Sequence, residues 1–477
     1  MYDFLLAANA FLWTALVLHY IRLPFAGPFH PTAYYLFFHG LIFVFRPIVV
    51  AFMQYDSLYV FYQFFPSESD KNTVLVAAML GLAAFYFVSI RVGSAPLQFK
   101  YDRVIDIERR QLIKPFLFVA ALLTPFAVAS SLDSWGSRAY DLNTMVTDAA
   151  TGSTINTTGN GYWSDFQLML GPLAVLTIWL FRFRWWTFIP FAGFLILRGG
   201  TGGRWPLIMA SVTVGLLWLY ERRRSLPTPK ELLLPVVALM MFQTIGNDRG
   251  MSIRALFIDD RSEASVATAR EVGFMEGMDF ANLEYFEYLV YAVPQRTGTF
   301  GYFLDNLQIF TEPIPRVLWP GKPVGAPIKL FSLFDYGTPV GMTYSLPGAG
   351  WLQLGYLGVL IWCALFGWFY GRIYNWFQRS NQSNLKTVCY LLFLPLSVQF
   401  FRDGMLIQLI KSNGWFLLPL LLILWFAKLS AVPLGDDLRL LVMRALARRG
   451  GEAIADAPLR GPRARRGATG QARRPPR

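Results

Sequence analysis

The residues best suited to chemistry in this sequence are arginines and lysines that lie beside long apolar runs. The clearest group is RGGTGGR at 198–204, which joins two such runs and has Arg198 and Arg204 at its ends. Glycines let a backbone approach a ligand and expose its N–H groups, and Trp205-Pro206 then opens the next run with proline in a first helical turn. An anion would lie there at a helix N-terminus between two guanidinium groups. A flexible hairpin with interfacial Arg and Trp is the alternative.

A second cationic segment is IPRVLWPGKP at 314–323, in which prolines surround Arg316 and Lys322. Proline reduces the conformational entropy that is lost when a loop is ordered, so these two cations could be held in place for a ligand. The alternative is an interfacial loop rich in Pro and Trp. For the arginines of 254–270, ion pairs with acids of the same region are the preferred interpretation.

Two further charged positions interrupt or end apolar runs. Arg402-Asp403 ends one run, where an ion pair and a substrate contact are equally consistent with the sequence. Arg46 lies inside another run, just before Pro47, and a charge within a membrane segment is a functional hypothesis unless it pairs with another helix.

Several signatures are missing from the sequence. It contains no GxxxxGK[ST] loop, no HExxH, no CxxC and no DxD; the nearest match to the last, Glu68-Ser69-Asp70, is better interpreted as a polar turn. The sequence therefore indicates neither a P-loop nucleotide site nor a zinc enzyme. The two cysteines, Cys363 and Cys389, lie in apolar runs and imply no disulfide framework.

The elements that must position these residues are membrane helices. Of 477 residues, 55% are apolar, 17% aromatic and only 15% charged, and the mean hydropathy is +0.39, whereas soluble domains average about 25% charged residues. Apolar runs that approach the roughly 20 residues of a bilayer span predict an all-α polytopic membrane protein with eleven spans, at about 4–21, 34–53, 73–91, 115–131, 166–181, 185–197, 205–220, 232–247, 348–371, 387–401 and 414–428.

The distribution of Lys and Arg predicts the orientation. With eleven spans, the basic segments 91–114, 221–224 and 372–386 and the tail from Lys428 all fall on one side, and the tail holds 12 Lys/Arg and 4 Asp/Glu. The positive-inside rule makes that side cytoplasmic, with the N-terminus outside. The opposite side then holds 132–165 and the large loop.

The large loop covers 248–347 and has 8 Lys/Arg and 12 Asp/Glu. Its segment FANLEYFEYLVYAV at 280–293 places Leu283, Phe286, Val290 and Val293 on one face of a helix and its two glutamates elsewhere, with Asp279 and Asn282 suited to its start. That pattern predicts an amphipathic helix lying on the membrane or packed on the bundle. The domains are then the N-terminal bundle 1–247, the loop 248–347, the C-terminal spans 348–428 and a basic, disordered tail at 429–477.

The chain resembles the Wzy-type oligosaccharide repeat-unit polymerases, the O-antigen polymerase group. Three motifs carry the resemblance over about 198–372: the turn RGGTGGR, the loop end IPRVLWPGKP, and GAGWLQLGYLGVLIWCALFGWFYGR, which is rich in glycine and closes on Arg372.

This resemblance implies a GT-C-like membrane glycosyltransferase of a bacterial inner membrane, which would join undecaprenyl-pyrophosphate-linked oligosaccharides at the periplasmic face. It implies no cofactor, no metal and no nucleic acid, with a flippase and a chain-length regulator as possible partners. Cations would stabilise the leaving pyrophosphate, and a carboxylate would deprotonate the acceptor hydroxyl. The expected substrate-binding residues are Arg198, Arg204, Arg249, Arg296, Arg316, Lys322 and Arg402, and the candidate bases are Asp403, Glu276 and Asp305.

Three alternatives stay open at this stage. An O-antigen ligase would share the architecture and differ in its acceptor. A lipid-linked oligosaccharide flippase or other transporter would favour short loops, charges within spans and internal repeats, and the hundred-residue loop argues against it. A non-catalytic scaffold of envelope assembly would tolerate the loss of any one of these arginines.

Overall fold

The structure is a computed structural model. It describes residues 1–99, 103–136, 145–147, 154–156, 161–200, 205–228, 231, 275–276, 280–315, 318–319, 321–323, 325–337, 342–379, 384–435, 437–438 and 440–442. The predicted span 232–247, most of 248–279 and the end of the basic tail lie outside these residues.

The described chain is built mainly of helices. We number them in chain order as α1 Tyr2–Tyr20, α2 Pro31–Met53, α3 Ser57–Tyr62, α4 Glu68–Val92, α5 Arg103–Gly136, α6 Tyr162–Leu180, α7 Phe188–Gly200, α8 Trp205–Glu221, α9 Asn282–Ala292, α10 Gln308–Thr311, α11 Leu346–Arg379, α12 Asn384–Phe393, α13 Leu396–Asp403 and α14 Leu406–Leu429. Two short strands, β1 Met145–Thr147 and β2 Thr154–Asn156, pair antiparallel with Val146 opposite Ile155.

Among the described residues, eight helical segments are long and apolar enough to cross a membrane: α1, α2, α4, α5, α6, α11, the pair α12–α13, and α14. They coincide with eight of the eleven predicted spans, which confirms a polytopic membrane protein. The predicted span 185–197 corresponds to α7, which has 13 residues. The span 205–220 corresponds to α8, a shorter apolar helix of 17 residues.

Polar contacts group the helix ends into two sets. At one end, Lys411 Nζ lies 3.0 Å from Asp165 Oδ2, which joins the N-terminal parts of α14 and α6. At the other end, Arg109 donates to Glu221 Oε1 over 2.7 Å and joins α5 to the last residue of α8. We call these the Lys411 end and the Glu221 end. If successive helices alternate in direction across the bundle, the starts of α6 and α14 must lie at one end, and the start of α5 and the end of α8 must lie at the other, as these contacts show.

The core between the two ends is packed largely by aromatic rings. Tyr35 of α2 stacks on Phe85 of α4 with 4.1 Å between ring centroids. Close backbone contact supports this packing, because a Cβ added at Gly367 of α11 would lie 2.7 Å from the carbonyl oxygen of Phe85. Close packing of side chains and small residues commonly holds membrane helices together, because the surrounding lipid gives little hydrophobic driving force for helix association.

Helix α2 contains a π-helical stretch at Gly40–Phe45, immediately before Arg46. Side chains of α1 satisfy backbone groups around it: Asn9 Nδ2 donates to the Phe43 carbonyl over 2.7 Å, and Trp13 Nε1 donates to the Leu36 carbonyl over 2.8 Å. Within a membrane every backbone polar group needs a hydrogen-bond partner. Helix α1 therefore stabilises a stretch of α2 where the regular α-helical hydrogen-bond pattern is interrupted.

Helix α11 is two helices and not the single span predicted at 348–371. Leu354 and Gly355 have non-helical dihedrals, and Gly355 has φ +60°. A Cβ on Gly358 would lie 2.1 Å from the carbonyl oxygen of Gly350, although residues eight apart in one helix are separated by about 12 Å. The chain therefore folds back at 354–355, and we name the pieces α11a (346–353) and α11b (356–379). Gly350 and Gly358 pack these two pieces against each other.

Helix α9 lies beside α11a and runs parallel to it. Asn282 Nδ2 donates to Thr343 Oγ1 over 2.7 Å near the start of both helices. Trp351 Nε1 donates to the Val293 carbonyl over 2.9 Å at their far ends. Pro347, at the start of α11a, lies next to Gly81 of α4. Gly81 is 13 residues from Glu68, the first residue of α4, so α11a begins roughly 20 Å from that end of the bundle.

The predicted amphipathic helix is therefore packed on the bundle, and one part of its prediction is wrong. Glu284 and Glu287 are as buried as Leu283, at 1–2% exposure. The helix is enclosed on every side by α4, α11a and the π-helical stretch of α2, so it presents no polar face to water or lipid headgroups. Asn282 is its first residue, with Ala281 as N-cap, and Asp279 lies outside the described residues.

Candidate functional site

Three helix ends meet inside the bundle around the carbonyl group of Arg402. This oxygen, at the end of α13, accepts from Ser345 N over 2.8 Å and from Asn282 Nδ2 over 2.9 Å. Gly404 follows with φ +71°, and a Cβ there would lie 2.2 Å from the Ser345 carbonyl oxygen. Trp362 Nε1 donates to Gly404 O over 3.1 Å. Because Trp362 lies seven residues beyond Gly355 in α11b, this junction of the three helix ends lies about 10 Å from the fold-back along the helix axis.

From this junction the Arg402 side chain extends to the start of α8. Its guanidinium carbon lies 5.0 Å from the ring of Trp205, the residue that directly follows RGGTGGR. Its Nη1 lies 3.9 Å from Asp403 Oδ1, and both side chains are 12% exposed. The structure thus brings together Trp205, which follows the glycine loop, and the Arg402-Asp403 pair, about 200 residues apart in the sequence.

Arg198 adds a second guanidinium on the other side of the glycine loop. It lies in the last turn of α7, within electrostatic reach of Asp165, and Asp165 also pairs with Lys411 over 3.0 Å. The described residues on the two sides of the glycine loop are Arg198 with Asp165 and Lys411 before it, and Arg402 with Asp403 beside Trp205 after it; we call these five charged residues the Arg402 cluster. The cluster contains three cations and two carboxylates, so an anionic ligand would suit its charge.

Sequence reasoning missed Asp165 and did not select Lys411. Both lie near the first turn of a span, where the sequence resembles an ordinary polar helix end. Their separation of about 250 residues leaves no local signal of a pair.

Asp305 lies in the turn Leu304–Leu307, beside the fold-back of α11. It is half-buried and hydrogen-bonded to Gln353, the last residue of α11a, and it interacts electrostatically with Lys329 and Tyr344. Burial raises the pKa of the Asp305 carboxyl above its ordinary value, while the Gln353 hydrogen bond and the Lys329 charge oppose the shift. Phe303, which precedes this turn, packs 5.4 Å from the ring of Trp362, the tryptophan that donates to Gly404 O.

Lys322 holds its own loop together. Its ammonium group, with the side chain 8% exposed, lies 2.9 Å from the Glu312 carbonyl oxygen, 3.2 Å from the Ile314 carbonyl oxygen and 3.4 Å from Glu312 Oε2. Tyr162 donates to the Glu312 carbonyl over 3.0 Å and so fixes the same loop to the start of α6. These contacts give Lys322 a structural role beside the pyrophosphate contact expected from the sequence.

The structure places Arg296 away from the Arg402 cluster. Arg296 is exposed, with its guanidinium 3.6 Å from the ring of Tyr291. It follows the C-terminal end of α9, about 15 Å from Asn282. Glu276 is half-buried in a described pair of residues, Met275 and Glu276. Arg204, Arg249 and Arg316 lie outside the described residues.

A second group of charges is buried along α9. Arg46 Nε and Nη2 donate to Glu284 Oε1 over 2.9 and 2.6 Å, and the two side chains are 1% and 2% exposed. One turn on, Tyr59 donates to Glu287 Oε2 over 2.6 Å, and Lys71 lies 4.9 Å from the Tyr59 ring. The hypothesis that Arg46 pairs with another helix is confirmed; its partner belongs to the large loop.

The cations of the Arg402 cluster are of the kind that suits an anionic ligand. Guanidinium groups bind phosphate oxygens through paired hydrogen bonds and stay charged at any relevant pH, and a partly buried setting strengthens such contacts. In the described part of the chain, no group of three or more His, Cys, Asp or Glu residues could hold a metal ion.

Comparison of this chain with protein-family models, with curated proteins and with solved structures found no match.

Proposed function

We propose that this protein is a membrane glycosyltransferase that polymerises lipid-pyrophosphate-linked oligosaccharide repeat units, in the manner of the Wzy-type polymerases. The observation that carries the proposal is the Arg402 guanidinium beside Trp205 at the end of the glycine loop, with Arg198 on the other side of that loop. Such a site suits the pyrophosphate of an undecaprenyl-linked donor, whose lipid would stay in the membrane. The Lys411 end is then periplasmic and the Glu221 end cytoplasmic, in a bacterial inner membrane.

The proposed reaction needs a leaving group and a base. The acceptor hydroxyl oxygen attacks the anomeric carbon of the donor chain, and the bond from that carbon to the pyrophosphate oxygen breaks. The electron pair goes to the lipid pyrophosphate, where Arg402 and Arg198 stabilise the charge. The acceptor proton goes to a carboxylate. Asp305 suits this role better than Asp403, because it is half-buried in a loop whereas Asp403 is buried beside Arg402.

Complementation of a deletion strain tests the function. We expect the ladder of polymerised glycan to collapse to single-repeat products in the deletion strain and to return with the wild-type gene. Arg402→Ala at equal protein level should lower polymerisation by about 100-fold, the scale for removing one charge-stabilising group.

The chain offers a matched control for this variant. Arg222 lies 3.8 Å from the ring of Trp218, so it makes the same kind of contact at the opposite end of the bundle. Arg222→Ala should retain the ladder. An unchanged ladder in the deletion strain would contradict the polymerase, and loss of the single repeat as well would favour a ligase or a flippase.

A further inference from the structure

The buried pair Arg46–Glu284 lies close to the residue that holds Arg402. Glu284 is two residues after Asn282, in the same first turn of α9. Asn282 is 1% exposed, and its Nδ2 donates to the carbonyl oxygens of Arg402 and Thr343 over 2.9 and 3.0 Å. A displacement of this turn therefore moves a hydrogen-bond donor of the Arg402 peptide.

The pair also has a strong reason to stay formed. Arg46 is held inside the span α2, and an unpaired charge at that depth is costly. Two of its nitrogen atoms donate to a single carboxylate oxygen, which holds that oxygen of Glu284 in place through charge-assisted hydrogen bonds. The first turn of α9 is thereby joined to α2, although the two are separated by 238 residues in the sequence.

We propose that Arg46 and Glu284 are positioning residues for anion binding: they hold the first turn of α9 so that Asn282 fixes the Arg402 peptide and its guanidinium stays beside Trp205. The proposal rests on the function above, in which Arg402 binds the pyrophosphate.

Hydrogen exchange of the full chain in lipid nanodiscs tests the positioning directly. In Glu284→Gln, peptides that cover 342–349 and 396–405 should exchange about tenfold faster, because local opening controls amide exchange. Tyr59→Phe is the matched control, since it removes a buried hydrogen bond from Glu287 one turn further along α9; it should leave both peptides unchanged. Faster exchange throughout the chain in Glu284→Gln, or unchanged exchange in both peptides, would overturn the proposal.

A double-mutant cycle with inorganic pyrophosphate tests the consequence for the site. We expect Glu284→Gln to weaken pyrophosphate binding about tenfold in the wild-type background and by less than about twofold in an Arg402→Lys background, because its effect passes through the Arg402 guanidinium. Glu284→Asp, which keeps the charge, should restore part of the affinity. Equal losses in both backgrounds would overturn the positioning role.

The two experiments separate this proposal from the function on which it rests. If the wild-type protein binds pyrophosphate no more tightly than Arg402→Ala, the proposed ligand is wrong. The exchange experiment would still show whether the buried pair positions the Arg402 peptide.

Discussion

Gly358 packs directly against the carbonyl group of Gly350, so that a Cβ at position 358 would lie 2.1 Å from the Gly350 oxygen. This contact closes the hairpin between α11a and α11b. It keeps the start of α11a, and Ser345 before it, deep enough to meet the end of α13 at Arg402.

The hairpin contact predicts that Gly358→Ala is severely destabilising. Because backbone lies on the other side of the contact, we expect a loss of at least about 3 kcal/mol, the upper part of the range for overpacking. Thermal unfolding in detergent measures it. Gly215→Ala is the matched control: an added Cβ meets nothing within 4 Å there, and helix propensity favours alanine by about 0.5–1 kcal/mol. Equal melting temperatures for the two variants would rule out the hairpin.

The buried ion pair predicts non-additive mutations. Arg46→Met alone leaves the Glu284 carboxylate unpaired at 2% exposure, and removing one partner of a buried pair typically costs about 3–5 kcal/mol. Arg46→Met combined with Glu284→Met removes both charges and should recover most of that loss. Denaturant titration of the purified protein gives both free energies of unfolding. A double variant no more stable than Arg46→Met would show that the pair is not coupled as the contacts require.

Asp305 predicts a dependence on pH. Its folded-state pKa is raised above the ordinary 3.8 by burial, so the protonated carboxyl is the form that folding favours. The stability it contributes is complete below pH 3.8 and is lost as pH rises through the folded-state pKa. Asp305→Asn has no such loss, so its melting temperature should increase relative to wild type from pH 3.8 towards neutrality. The same variant should lower glycan transfer by about 100-fold if Asp305 is the base.

The exposed Asp335 serves as the control for Asp305. Asp335→Asn should follow the wild-type curve of melting temperature against pH. A parallel curve for Asp305→Asn would mean that ionisation of Asp305 does not oppose folding. Full glycan transfer by Asp305→Asn would exclude it as the base.

Lys322 predicts a mainly structural phenotype. Its ammonium lies within hydrogen-bonding distance of three oxygen atoms of its own loop, so Lys322→Ala should loosen 311–323. We expect protease cleavage there to increase about tenfold and pyrophosphate affinity to change by less than about twofold. Arg296→Ala is a control at an exposed cation of the same large loop. A large loss of pyrophosphate affinity in Lys322→Ala would contradict this and would indicate that Lys322 binds pyrophosphate, as expected from the sequence.

Sequence patterns predicted the spans well and the site only in part. Hydropathy identifies α4 or α14 directly, because a bilayer demands a continuous apolar length. The fold-back at Gly355 has no such signal, because glycines in an apolar run give the same sequence pattern whether they pack against another helix or against another part of the same segment. The burial of Glu284 was equally hidden, because helical periodicity assigns a glutamate to a polar face unless its partner is known, and Arg46 belongs to another part of the chain.

The site shows the same limit. Both Arg198 and Arg402 were selected from the sequence for their position at the ends of apolar runs, and both lie in the Arg402 cluster. The contact of Arg402 with Trp205 has no signal in the sequence, because it depends on where α13 stops, and that is set by Gly404 against Ser345. Arg296 met the same criteria in the sequence and yet lies at the far end of α9.

The π-helical stretch Gly40–Phe45 makes the number of residues before Arg46 matter as much as their identity. Loss of one residue from this stretch would restore a regular α-helix and turn Arg46 by about 100° around the axis of α2, away from Glu284. Substitutions that keep the length would leave the ion pair in register. Chains that share this architecture should therefore exclude insertions and deletions between Gly40 and Phe45, whereas substitutions that keep the size of the buried side chains there should be tolerated.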